Sequence, residues 1–91
     1  MSRASVNAMF TVLAEERTAI RSLDASGVER AAQQKESLAT TIASMSESEL
    51  GTMQPELRAL RLELRRNGVL LAHARACLRE ISAQSRLNAT V

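Results

Sequence analysis

Residues 63–72 read ELRRNGVLLA, and this stretch decides how many helices the chain forms. An Asn-Gly pair is a strong signal for a tight hairpin turn, because both residues tolerate a positive φ angle. The residues around Asn67 and Gly68, however, do not resemble β-strands. The pair therefore either forms a turn or lies within a helix.

The spacing of the surrounding apolar residues favours a helix. They recur every three or four positions and stay in phase through the pair: Leu57, Leu60, Leu64, Leu71, Ala74, Leu78 and Ile81. A turn would have no reason to keep this phase, so the repeat predicts one helix over about residues 55–84. Gly68 inside a helix costs about 1 kcal/mol relative to alanine, which suggests a compensating role for it.

Two shorter helices are predicted before this one. The first covers about residues 4–24, with its apolar face formed by Val6, Met9, Phe10, Leu13, Ile20 and Leu23. The second covers about residues 27–46 and begins after a Ser-x-x-Glu capping box at Ser26 and Glu29. Pro55 suits the first turn of the third helix, where no backbone N–H is needed.

The composition agrees with a single all-α domain over residues 1–91. Phe10 is the only aromatic residue, so the core must consist of aliphatic side chains and methionines. Ala, Leu, Glu, Arg, Ser and Gln make up most of the chain and favour helix over sheet. No segment reaches the roughly 20 apolar residues of a membrane span, and the N-terminus lacks the apolar region of a signal peptide. We therefore expect a soluble, cytoplasmic protein without a membrane span.

Antiparallel packing of the predicted helices places three polar residues together. In the register that pairs the apolar positions of the first two helices, Glu16 faces Lys35. When the third helix returns along the second, Lys35 also faces Asn67, and Val28 pairs with Ala74. The sequence thus predicts an antiparallel three-helix bundle, or a helical hairpin with a long third helix, with coiled-coil-like packing around this polar layer.

A buried polar layer lowers stability but penalises slipped registers, because a shift would bury a charge without its partner. Gly68 beside the layer is expected to let the helix backbones approach each other. The alternative is that the long side chains of Glu16 and Lys35 reach out to water.

Three motifs in this order resemble the FlgN-type family of flagellar export chaperones. They are EERTAIRSLD at residues 15–24, KESLATTI at residues 35–42 and NGVLLAHA at residues 67–74. The resemblance covers roughly residues 10–81. The chain departs from the family pattern by being short, so much of the usual C-terminal client-binding segment is expected to be missing or replaced.

The resemblance implies a helical bundle without catalytic activity. Such a protein binds the C-terminal helices of hook–filament junction proteins, keeps them unpolymerised in the cytoplasm and delivers them to the type III export apparatus. The alternative is a structural helical coiled-coil protein that self-associates without a flagellar client. The two hypotheses share the same helix packing and differ in whether the self-contacts open for another chain.

The third helix carries the predicted binding surface. It is longer than the other two, so its last turns should extend past the bundle, and a second apolar stripe follows the side away from the seam. The predicted client- or self-binding residues are Leu62, Val69, Leu70, Ala76, Leu78, Ile81 and Leu87. Contiguous exposed apolar surface usually marks an interaction site. The alternative is that the tail, residues 85–91, folds back over the stripe or frays.

The C-terminal part of the chain is basic. Residues 55–91 carry seven arginines against three glutamates, and five of the arginines flank the seam of the third helix: Arg58, Arg61, Arg65, Arg75 and Arg79. They either pair with acids of a neighbouring helix or an acidic client, or form a solvated flank. Nucleic-acid binding is disfavoured, because the chain has no aromatic or glycine-rich element to hold bases.

The sequence contains no pattern typical of an enzyme. His73 is the only histidine and meets only Cys77 at helical spacing, which is too few ligands for a metal and leaves no third group to orient a nucleophile. No phosphate-binding loop or serine-nucleophile motif is present. We expect no catalytic residues, metal or cofactor, with His73 at the surface and Cys77 as a small buried residue.

Overall fold

A computed structural model describes residues 2–89 and shows an all-α protein, as predicted. It contains α1 (Ser2–Arg21), α2 (Ala25–Ala43), α3 (Glu47–Gly51) and α4 (Gln54–Ala89). The described residues contain no β-strand. No helix among them is long and apolar enough to cross a membrane.

The turn between α1 and α2 is tighter than predicted. Asp24, rather than Ser26, caps α2 by accepting a hydrogen bond from the amide of Gly27 at 3.0 Å, so the predicted Ser26–Glu29 capping box is wrong. α2 therefore starts two residues earlier than expected. An aspartate before an Ala-Ser-Gly segment is itself a strong capping signal, which the Ser-x-x-Glu pattern obscured.

α1 ends in a Schellman motif with an unusual residue at its left-handed position. The amide of Asp24 donates to the carbonyl of Ala19 at 2.8 Å, and the amide of Leu23 donates to the carbonyl of Ile20 at 3.1 Å. Leu23 has a φ of 56°, where glycine is the usual residue. This conformation reverses the chain within three residues and brings α2 back along α1.

A short helix, α3, was not predicted. Ser46 caps it by accepting from the amide of Glu49 at 3.2 Å, and the Ser46 hydroxyl also donates to the Glu49 carboxylate at 3.3 Å. Residues 46–49 have the Ser-x-x-Glu spacing of a capping box, and the bond from the Glu49 amide to the Ser46 side chain is one of the two bonds of that motif. The serine-rich segment therefore begins a helix, although its composition suggested a loop.

α4 is continuous through Asn67 and Gly68, as predicted from the apolar repeat. Pro55 lies in its first turn, and the helix continues past the predicted end at residue 84 to Ala89. The part of the predicted frayed tail up to Ala89 is therefore helical, whereas residues 90–91 lie outside the described residues.

α1 is the central helix of an up-down-up bundle. It packs antiparallel to α2 and parallel to α4. Arg3 contacts Glu56 near the start of both parallel helices, and Glu16 contacts Asn67 further along them. α4 thus packs mainly along α1, and the prediction that it returns along α2 is wrong in this respect. Val28 and Ala74 lie on opposite sides of a groove instead of in one seam.

The hydrophobic core lies at one end of the bundle, where α1 and α4 begin and α2 ends. Its buried members are Val6, Met9, Leu13, Met53 and Leu60, and Phe10, Leu38, Ile42, Met45 and Leu57 pack against them. Met53, in the connection before α4, is only 2 % exposed. This end of the bundle is closed, and the end at the α1–α2 turn is open.

Candidate functional site

The predicted polar layer forms the boundary between the closed and open ends. The carboxylate of Glu16 accepts from Lys35 Nζ at 2.7 Å and from Asn67 Nδ2 at 2.9 Å. Asn67 Nδ2 also donates to the carbonyl of Leu13 at 2.8 Å. Glu16 and Asn67 are each 2 % exposed, whereas the side chain of Lys35 retains 27 % of its exposure. The structure therefore brings Glu16, Lys35 and Asn67 together across three helices.

Two arginines and a glutamate extend this network along α1 and α4. Arg17 donates to the Glu63 carboxylate and, at 3.2 Å, to Asn67 Oδ1. Arg66 donates to the other Glu63 oxygen at 3.0 Å. The hydrogen bond from the Arg17 guanidinium is the main reason that the pKa of Glu63 lies below its usual value.

The network is suited to fixing the helix register. Both oxygens of Glu16 and both polar atoms of the Asn67 amide have protein partners, which is what a buried polar group requires. Any shift of one helix along another would separate these partners inside the bundle. The layer therefore holds α1, α2 and α4 in one relative position.

Gly68 does not have the role expected for it. A Cβ atom built at Gly68 meets no heavy atom within 4 Å, so no backbone approaches this position closely. The close approach occurs at Gly27, where a Cβ atom would lie 2.5 Å from Asp24 Oδ2 and 3.0 Å from Ala19 Cβ. Gly27 lets the start of α2 pass against the end of α1.

A groove of about 430 Å³ opens between α2 and α4 above the polar layer. α1 forms its floor, and its apolar lining comes from all three helices: Ile20, Leu23, Ala25, Val28, Ala32, Leu71, Ala74 and Leu78. The apolar residues on the α2 side, Ala25, Val28 and Ala32, are short and leave the space between α2 and α4 unfilled. Glu16 and Lys35 border the groove at its inner end.

The structure separates the predicted binding residues into two surfaces. Leu78 lines the groove and is 45 % exposed, and Ile81 follows it about one turn later on the free end of α4 with 60 % exposed. Leu87 is 62 % exposed, but it lies nine residues after Leu78 and therefore faces the opposite side of the helix, in line with the second stripe. Leu62 and Val69 are 59 % and 66 % exposed but belong to the second stripe, away from the groove. In that stripe Val69 and the half-buried Leu70 border a shallow depression with His73, and Ala76 is half-buried.

Cys77 is exposed, so the prediction that it is buried is wrong. It lies beyond the end of α1, where no neighbouring helix covers α4. His73 is also exposed, and its Nε2 lies 3.9 Å from Cys77 Sγ. No group of three or more metal-ligating side chains occurs among residues 2–89.

The main groove residue that sequence reasoning missed is Leu23. The apolar pattern predicts Leu23 in the seam of the first helix, but it is 60 % exposed at the mouth of the groove. The Asp-Ala-Ser-Gly segment indicates a helix boundary here, but nothing in the sequence predicts a leucine at the left-handed position, where glycine is the usual residue.

No protein-family model, curated protein or solved structure matches the chain.

Proposed function

We propose that the protein is a cytoplasmic helix-binding chaperone of the flagellar export type that its motifs resemble. In this proposal the client is the C-terminal helix of a hook–filament junction protein. The groove between α2 and α4 and the free end of α4 bind the apolar face of that helix and keep it from assembling before export.

The observation that supports the proposal is the uncovered apolar side of α4. α1 ends at Arg21, beside the middle of α4, and every described side chain of α4 from Cys77 onward is exposed. The 13 residues from Cys77 to Ala89 would span about 20 Å at 1.5 Å per residue. Leu78 and Ile81 stay exposed on this segment, which leaves apolar surface in water.

A helix is the ligand that fits this surface. The groove runs along the axes of α2 and α4, and an amphipathic helix placed in it would complete a four-helix arrangement at the open end. Binding of this kind uses apolar anchors at helical spacing on both partners, as in other helix-in-groove complexes. The polar layer below keeps the groove walls in place, so little ordering is needed on binding.

The test is a variant with Leu78→Asp and Ile81→Asp. Its binding to a synthetic C-terminal helix of a hook–filament junction protein is measured by isothermal titration calorimetry. We expect the variant to remain helical and to lose binding, because the two exposed apolar side chains that would contact the peptide become charged. Unfolding of the variant would show that Leu78 and Ile81 belong to the core of the domain.

The matched control is Leu62→Asp with Val69→Asp, which places the same charges on the second stripe of the same helix. This variant should bind the peptide as the unmodified chain does. If only the control variant loses binding, the client helix binds at the second stripe and not at the groove. Self-association without any peptide binding would favour the alternative, a coiled-coil protein that binds only itself.

A further inference from the structure

The wall that α4 contributes to the groove is basic. Arg75 lines the groove, and Arg79 follows one turn later on the same side of the helix. Arg61 lies two heptads before Arg75 and borders a depression with Leu57 on that side. Arginines therefore mark one edge of the α4 face that a bound helix would contact.

These arginines have no acidic partner in the described chain. The ion pairs found among residues 2–89 use other basic groups, namely Arg3, Arg17, Lys35 and Arg66. Arg61, Arg75 and Arg79 are all exposed. Their positive charge is available to a molecule that enters the groove.

We infer that the groove takes an amphipathic helix with an acidic flank. The inference rests on the proposed function, since it names the chemistry of the helix that the same groove binds. The apolar face of such a helix covers Leu23, Leu71 and Leu78 above the buried Ile20, and its carboxylates lie against Arg75 and Arg79. Charge complementarity at the edge of an apolar contact selects the partner and speeds its association.

The other wall makes the groove asymmetric. Glu29 and Asp24 border the groove on the α2 side, and Asp24 is already engaged with the Gly27 amide. A helix whose second flank is neutral or basic therefore fits both walls. Reversing the direction of an amphipathic helix exchanges its flanks, so the charges also set the direction in which the helix binds.

A second copy of the chain fits this groove poorly. Among residues 2–89, the long uncovered helical segment is the end of α4, which carries Arg79 and Arg86 on the same flank as Arg75. Antiparallel pairing of two such ends would place basic flanks against each other. Like charges in an interface disfavour that pairing, so an acidic partner is the better occupant.

The experiment uses two dye-labelled synthetic helices of about 20 residues with the same leucine-alanine face. One carries glutamate on one flank and glutamine elsewhere, and the other carries lysine in place of glutamate. Fluorescence anisotropy should show the acidic helix binding roughly tenfold more tightly at low salt, with a smaller difference as salt is raised.

Two variants of α4 locate the preference. Arg75→Glu should abolish most of the difference in affinity between the acidic and the basic helix. Arg65→Glu is the matched control, because Arg65 is exposed on the same helix but lies beside Val69 and Leu70, away from the groove. This control should bind both helices as the unmodified chain does.

Three results would overturn the inference. In the first result, the unmodified chain binds both helices equally and the variant with Leu78→Asp and Ile81→Asp binds neither. This result would reject the charge preference but would still support the proposed function. Binding of neither helix would reject both. Sedimentation showing a stable dimer that the acidic helix cannot dissociate would identify a second copy as the occupant.

Discussion

Gly27 and Gly68 lie in similar helical conformations but in different surroundings. Gly68 is exposed in the middle of α4 with open space at its Cβ position, and Gly27 faces Asp24 and Ala19 at close range. The cost of glycine in a helix is therefore offset at Gly27 by the approach of α2 to α1. Nothing in the structure offsets it at Gly68.

Alanine substitutions should separate the two positions. Gly68→Ala should raise the free energy of unfolding by about 1 kcal/mol, because it only restricts the unfolded chain. Gly27→Ala should lower it by about 1 kcal/mol or more, because the new methyl group displaces the Asp24 cap. Urea denaturation measures both. A destabilising Gly68→Ala would reveal a contact at that position.

Replacing one member of the polar layer should be worse than replacing two. Lys35→Met leaves the buried Glu16 carboxylate without its cation and should lower stability by about 3 kcal/mol. The double variant Glu16→Leu, Lys35→Met removes both charges and should recover much of that loss. A double-mutant cycle by chemical denaturation measures the coupling, and additive effects would mean that the pair contributes no interaction energy.

At the scale of the helices, periodicity predicted which segments are helical but only part of how they pair. The antiparallel register of α1 and α2 followed from the apolar pattern and the match of Glu16 with Lys35. The partner of α4 did not, because an apolar seam fits either neighbour equally well. The discriminating information lay in charge pairs such as Arg3 with Glu56, which only α1 and α4 in parallel can form.

The exposure of the site was predictable only in outline. Helix lengths predicted that the end of α4 extends past the bundle, and Leu78, Ile81 and Leu87 are indeed exposed. The prediction that Cys77 is buried is wrong because it rests on residue type, whereas the position of Cys77 beyond the end of α1 determines its exposure. The groove itself depends on small residues of α2 such as Ala32, which a pattern of apolar positions treats as ordinary seam residues.

The contact between α1 and α4 should weaken in acid. Arg17 lowers the pKa of Glu63, and the pKa of Glu56 is lowered first by a backbone hydrogen bond and also by Arg3. A carboxyl group whose pKa is lower in the folded state stabilises the fold above its usual pKa. That stabilisation is lost as pH falls through the lower, folded-state value.

Denaturation midpoints measured from neutral pH down to below the usual glutamate pKa test this effect. The unmodified chain should lose stability over the acidic part of this range, and Glu63→Gln should show a weaker dependence on pH in the same window. Arg66→Gln is a suitable comparison, because it removes an exposed partner of Glu63 and leaves the bond to Arg17 in place. Identical profiles for the unmodified chain and Glu63→Gln would exclude Glu63 as the titrating group.

As a whole, the molecule is an elongated body of 64 by 20 by 18 Å with its core at one end. Stability and binding surface are therefore separated along its axis. The buried side chains between Val6 and Leu60 hold the bundle together, and the exposed end of α4 contributes little to that core.

Removing residues 82–91 should leave the fold intact. The described side chains in this segment are all exposed, so the free energy of unfolding measured by urea denaturation should change by less than about 0.5 kcal/mol. Circular dichroism should show only the loss of the helical signal of the removed turns. A large drop in stability would mean that the end of the chain covers the bundle in solution.

Leu23 carries a further consequence for the relation between stability and activity. A leucine at a φ of 56° is strained. Glycine at this position should therefore raise the free energy of unfolding by about 1 kcal/mol and raise the melting temperature. The same change removes an exposed leucyl side chain from the mouth of the groove, so Leu23→Gly should bind the helical peptides more weakly.

Melting curves and anisotropy titrations of this variant measure both effects. If Leu23→Gly is more stable and binds the peptides as tightly as the unmodified chain does, Leu23 is not part of the binding surface. A stable but weaker binder would show that the turn is selected for what it displays to a partner, at the expense of its own stability.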